Sequence, residues 1–228
     1  MGFSSYTALP TTGVVRTGEE RATLVRRTYT LVLASVVVTM VGTWFGLSQP
    51  GVLQTVGAHP FITMLLAFVP LIMAQRARDR FPQNIALVFL FTFVMGVAIS
   101  PLVFVMNARQ PGVVGQAGLL TLSTFGVLTA YAWTSRRDFS AWGGFFIVGV
   151  WVIIGTSLLN MFFQNQTAAL WIAGATVLAF SGLLVFDTWR LRNVYGPGDY
   201  VLAAVNIYLD LLNMFLAILQ LLGGSRRN

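Results

Sequence analysis

The sequence predicts an all-α polytopic membrane protein, a bundle of seven transmembrane helices with the last helix at its centre. Three observations carry that prediction. Hydrophobic residues fill 56% of the 228 positions and charged residues only 9%, and the mean hydropathy is +0.76, more apolar surface than a water-soluble domain can hide. Apolar runs long enough to cross about 30 Å of hydrocarbon as helices recur seven times. The last run carries a stripe of Asn and Asp side chains, which must look into a bundle or into water rather than at lipid.

The first 28 residues are polar, ending in Glu19, Glu20, Arg21, Arg26 and Arg27. No apolar core with a small-residue cleavage site precedes the first long run, so residues 1–28 are expected to be a cytoplasmic segment and the first span its own membrane signal. The runs cover residues 29–47, 60–74, 85–106, 113–133, 141–163, 168–189 and 200–222, giving a transmembrane domain over 29–222 and a short tail over 223–228. Their connections are short, with a Ser-Gln-Pro-Gly turn opening the loop 48–59 and Gly196-Pro197-Gly198 in the last link. Small residues at every fourth position let membrane helices approach closely. Ser35, Thr39 and Thr43 form such a seam in the first span, and Thr92, Gly96 and Ser100 another in the third.

Residue counts exclude several chemistries. Cysteine is absent, which removes disulfides, thiolate metal sites and thiol nucleophiles. A single histidine, His59, cannot form a His-rich zinc site. All fourteen basic residues are Arg, so a phosphate-binding loop ending in Lys and a Schiff-base lysine are excluded. Placing the N-terminus in the cytoplasm puts Arg16, Arg21, Arg26, Arg27, Arg76, Arg78, Arg80, Arg136, Arg137, Arg190 and Arg192 inside and only Arg109, Arg226 and Arg227 outside. Topology thus accounts for the basic isoelectric point, and the partner is the lipid bilayer, not nucleic acid.

Two acids sit in or at the end of apolar runs: Asp187 closes the sixth and Asp210 lies in the middle of the seventh. A mid-helix carboxylate costs about 2.5–3.5 kcal/mol to insert, so Asp210 needs a partner. Asn206, Asp210 and Asn213 share one helical face, continued by Ala217 and Gln220. Asp187 on the antiparallel neighbour is the candidate partner, level with Asp210 if the sixth helix continues to about Arg192. Two touching carboxyl groups in a poor dielectric cannot both ionise, so they hold one proton between them and form a proton sensor. An Arg from the second-to-third link is the expected counter-ion.

Phe186-Asp187-Thr188, a short Gly-containing loop, Tyr200, and then the stretch 204–215 around Asn206, Asp210 and Asn213 resemble the C-terminal signature of the Bax inhibitor-1 family of seven-helix membrane proteins. Arg137-Asp138-Phe139-Ser140 and the stretch 96–101 extend the resemblance over the chain from about Arg21. It implies a hydrogen-bonded pair at Asp187 and Asp210, a pH-dependent calcium leak as in bacterial members, and an arginine latch on the pair at Arg78, with Arg76 as the alternative. No cofactor is implied; calcium is a transported ion. The sequence departs from the calcium-leaking pattern in having no acid within 61–74. Some bacterial relatives act by binding a membrane-anchored AAA protease, and that regulatory role is the alternative function.

An enzyme is not expected. Paired aspartates on adjacent helices also serve intramembrane proteolysis, but the Gly-x-Gly-Asp context is missing, Tyr208 and Leu209 standing before Asp210. The leading expectation is a passive, proton-gated cation path in the bacterial inner membrane, with Asp187, Asp210 and Arg78 as its gate and Asn206 and Asn213 as its polar stripe. A monomer in the bilayer satisfies these features.

Overall fold

A computed structural model describes residues 18–77 and 80–224. The chain forms α1 (Gly18–Ser48), α2 (Pro50–Ala58), α3 (Pro60–Arg76), α4 (Gln83–Arg109), α5 (Val113–Thr134), α6 (Ser140–Phe163), α7 (Gln166–Asn193) and α8 (Tyr200–Gly224), with a single 3-10 turn at Pro197–Asp199 before α8. Six of these helices are long and apolar enough to cross a membrane. The pair α2 and α3, bent by 100° between Ala58 and Pro60, makes a seventh if counted as one span.

Most elements follow the apolar runs, and the departures have local causes. The loop expected over 48–59 instead contains α2. Pro50 stands at its first turn, where the missing N–H would have no intrahelical partner and the fixed φ suits a helix, so the proline that suggests a turn starts a helix. Pro60 does the same for α3. The helix α1 begins well before the apolar run, at Gly18, with Glu19 and Glu20 in its first turn, where acids favour the positive end of the helix dipole. The helix α7 runs on past Trp189 to Asn193. Its start is capped by Asn165, whose side chain accepts a hydrogen bond from the Ala168 N–H at 3.0 Å.

The two small-residue seams meet. Thr39 Oγ1 lies 3.1 Å from the Thr92 carbonyl oxygen and Thr43 Oγ1 3.1 Å from that of Gly96. A Cβ on Gly96 would strike the Thr39 carbonyl oxygen, and one on Gly42 the Phe93 carbonyl oxygen. Backbone contact this close is what glycine permits in a membrane interface. A second interlock joins α6 to α7, where the Phe186 ring fills the space at Gly143 and the Phe146 ring that at Gly182.

The last helix is central, as its polar stripe predicted. It packs against α1, α4, α5 and α7, and its buried residues, Val201 to Leu219, occur on every side. By contrast α6 buries only Gly143, and Phe162 and Phe163 beyond it are 78% exposed, as lipid-facing side chains should be. Alternating helix directions gather the Arg-bearing ends. Arg27 stacks over the Tyr200 ring at 5.8 Å, joining the starts of α1 and α8. Arg192, in the last turn of α7, donates from Nη1 to the carbonyl oxygens of Trp133 at 2.7 Å and Ser135 at 3.0 Å. It thereby satisfies carbonyls that the end of α5 leaves without intrahelical donors.

Candidate functional site

The site is built where α7 leaves the bundle and α8 re-enters it. Because α7 continues a full turn and more beyond Asp187, that residue is an interior position of the helix, and the residue as a whole is buried at 7% exposure. Asp210, in the middle of α8, is buried at 4%. The two carboxyl groups lie close enough to interact across the α7–α8 interface. Asp210 Oδ2 is buried with no donor among the described residues. Around it α8 contributes Ile207, Tyr208, Leu211 and Met214, all buried.

Among the described residues the cation at this pair is on α7 itself. Arg190 donates from Nη1 to Asp187 Oδ1 at 3.2 Å, three residues along the same helical face. Its guanidinium also lies 4.6 Å from the centre of the Tyr195 ring and 5.4 Å from that of Phe186, within cation–π range. The Tyr195 hydroxyl in turn accepts a hydrogen bond from Asn206 Nδ2 at 3.0 Å. Asp187, Arg190, Tyr195, Asn206 and Asp210 thus link α7, the connecting loop and α8. Burial, helped by the nearby Asp187 charge, pushes the Tyr195 phenol up to about 12.

Not all the expected residues converge here. Arg78 lies outside the described residues, and Arg76 is exposed at the end of α3. Asn206 and Asn213 are both half-buried, but Asn213 spends its amide N–H on the Leu209 carbonyl of its own helix at 2.8 Å. Gln220 is exposed at the far end of α8. Sequence reasoning missed Arg190 and Tyr195. The i, i+3 spacing from Asp187 signalled the arginine, whose position at a span end reads first as topology.

Above the pair a second polar contact ties α8 to α1. The hydroxyls of Tyr208 and Thr39 lie 2.7 Å apart, so that the α1–α4 seam and α8 share one hydrogen-bonded junction. No three His, Cys, Asp or Glu side chains gather into a metal-ligand group among the described residues.

Comparison with known proteins places this geometry in a family. Residues 21–228 match the family described as "Inhibitor of apoptosis-promoting Bax1". The chain is 30% identical to "Bax inhibitor 1" of Schizosaccharomyces pombe over 212 residues, covering 91% of this chain and 79% of that protein. It is 30% identical to "Protein lifeguard 4" of Mus musculus over 205 residues, covering 89% of this chain and 85% of that one. An uncharacterized protein of Helicobacter pylori is 30% identical over 207 residues, covering 90% of this chain and 87% of its own length. With the family match spanning nearly the whole chain and relatives aligned across the entire bundle, this protein belongs to the Bax inhibitor-1 family.

Proposed function

We propose that this protein is a passive, pH-responsive cation leak, calcium among its ions, of the bacterial inner membrane, with its N-terminus in the cytoplasm. The observation that carries the reading is the proximity of two buried carboxyl groups, Asp187 on α7 and Asp210 on α8, with Arg190 as the cation paired to Asp187. Two carboxylates in contact repel, so one shared proton holds them together and its loss or gain biases the packing of α7 on α8. Arg78, in the sequence after α3, is the proposed latch on the pair, and Asn206 and Asn213 the proposed polar stripe along the path. The packing around Asp210 is a closed state in this reading, and conduction requires α7 and α8 to shift.

The test is calcium flux into proteoliposomes loaded with an indicator, at several pH values, for wild type beside Asp210→Asn and Arg78→Gln. The expected result is a pH-dependent leak whose pH dependence disappears in Asp210→Asn. An unchanged pH profile in that variant would sink the gate.

A second reading is favoured by the absence of any acid in 61–74 and by the outward-facing surface of α6. It makes the protein a regulator that binds a membrane-anchored AAA protease without conducting ions. Copurification of a stoichiometric membrane protein, together with no flux at any pH, supports this role over the leak.

A further inference from the structure

At the end of the bundle away from the Arg-bearing connections, the last turns of α4, α6 and α8 and the first turn of α7 surround a depression of about 260 Å³. Its rim is formed by Arg109, Asn160, Gln164, Asn165, Gln166 and Gln220. Met106 and Leu170 make an apolar floor, lying against Gly223 and Gly224. The apolar run of α4 stops just before Arg109, so the rim sits where hydrocarbon gives way to lipid headgroups.

The rim is richer in donors than in acceptors. A guanidinium and carboxamides present many N–H groups and no carboxylate. The oxygens of two of those amides are already engaged: Asn160 Oδ1 accepts from the Asn165 N–H at 3.1 Å, and Asn165 Oδ1 accepts from the Ala168 N–H at 3.0 Å. The guanidinium and the NH2 groups of those two amides suit a ligand that offers acceptor oxygens. Among the described residues no acid pairs with Arg109; Glu19, Glu20, Asp138 and Asp199 belong to the opposite end, and Asp187 and Asp210 are inside the bundle. An arginine in the last turn of α4 offsets that helix's own dipole, which explains one charge but not the amides gathered round it. An uncompensated positive charge at the edge of a low-dielectric medium attracts an anion. A guanidinium fork matches two oxygens of a phosphate, and the apolar floor suits the glycerol and first methylenes behind it.

We propose that this depression binds the phosphate group of a membrane phospholipid in the leaflet at that end of the bundle. Free inorganic phosphate shares the chemistry, so the experiment separates the two sources. Native mass spectrometry of the protein in a maltoside detergent, supplied with phosphatidylglycerol, diacylglycerol and inorganic phosphate, counts what is retained. Arg76→Gln, at the opposite end, is the positional control. Wild type and Arg76→Gln are expected to hold one phosphatidylglycerol more than Arg109→Gln and no diacylglycerol at this site. Gln220→Leu, which leaves the charge in place, should weaken retention about threefold. Equal lipid counts in wild type and Arg109→Gln overturn the site. Retention of inorganic phosphate in place of the lipid, lost in Arg109→Gln, overturns the lipid assignment and gives the pocket to the free ion.

Discussion

Asp187 can stay in the bundle because Arg190 lies one turn along the same face of α7, at 3.2 Å. The pair is unequal: the arginine side chain is 30% exposed and the aspartate 10%. Breaking a buried pair by removing one partner leaves an uncompensated charge, and partial exposure reduces the penalty to about 1–2 kcal/mol. Arg190→Gln should therefore lower stability by roughly that amount, and Arg190→Lys should recover only part of it, because the flat contact with Tyr195 and Phe186 is lost. Thermal denaturation of the three proteins in one detergent checks both. Tyr195 gives a second prediction, one of sign. Its phenol ordinarily titrates at 10.0 and burial moves it to about 12. A raised folded value means that its contribution to stability is complete below pH 10 and is lost as pH rises toward 12. Tyr195→Phe should flatten the fall in thermal midpoint across that window while leaving the slope at neutral pH unchanged; an unaltered alkaline slope would show that the phenol is not the titrating group. The acids of this site were legible in the sequence because a carboxylate in an apolar run is costly and demands an explanation. Arg190 was not, since an arginine near a span end is already explained by topology, and only the fold shows that α7 carries Asp187 and Arg190 inward together.

At the scale of elements, the α1–α4 contact depends on the absence of side chains at a few positions. Gly96 faces the Thr39 carbonyl oxygen and the Thr43 N–H of the neighbouring helix, and neither can move without displacing α1. Gly96→Ala should destabilise by about 1–3 kcal/mol, the usual range for forcing atoms into a packed interface. Gly118→Ala on α5 is the contrast, because a Cβ there meets nothing within 4 Å, and its stability should stay within about 0.5 kcal/mol of wild type. Denaturation by increasing SDS measures both, and equal losses would mean that general helix effects, not the seam, set the outcome. The seam was legible because small residues every fourth position have few other uses in a lipid-facing helix. The helix α2 was not: it has nine residues, too few for a spanning window, and Pro50 and Gly51 read as turn residues. The extension of α7 was legible only as the condition that brings Asp187 level with Asp210, because hydropathy falls after Trp189 while the backbone hydrogen bonding continues, the Val194 N–H still reaching the Arg190 carbonyl at 2.8 Å.

For the whole molecule, the direction of each helix fixes which ends share a side. Counting arginines left the last segment undecided between crossing and dipping back, because Arg226 and Arg227 could belong to either side. The packing of α8 resolves the geometry: Tyr200 at its start lies under Arg27 of α1, while Gly223 and Gly224 at its end lie against Met106 of α4 and Leu170 of α7. Those are opposite ends of the bundle, and its 25 residues rise about 37 Å at 1.5 Å each, the height of a full crossing. Gln220, exposed near the end of α8, should therefore lie on the side of Arg109, and Ser140, at the start of α6, on the side of Arg192. The chain has no cysteine, so Gln220→Cys and Ser140→Cys each introduce a unique thiol. In intact bacterial cells whose outer membrane has been made permeable, a maleimide that cannot cross the inner membrane should label Gln220→Cys and leave Ser140→Cys untouched until the inner membrane is opened. Labelling of both from outside, or of neither, would mean that α8 turns back and that its central packing holds a re-entrant segment. Labelling of Ser140→Cys alone would invert the protein in the membrane. It would also move the Arg-rich end away from the cytoplasm, contrary to the retention of arginine on that side during insertion.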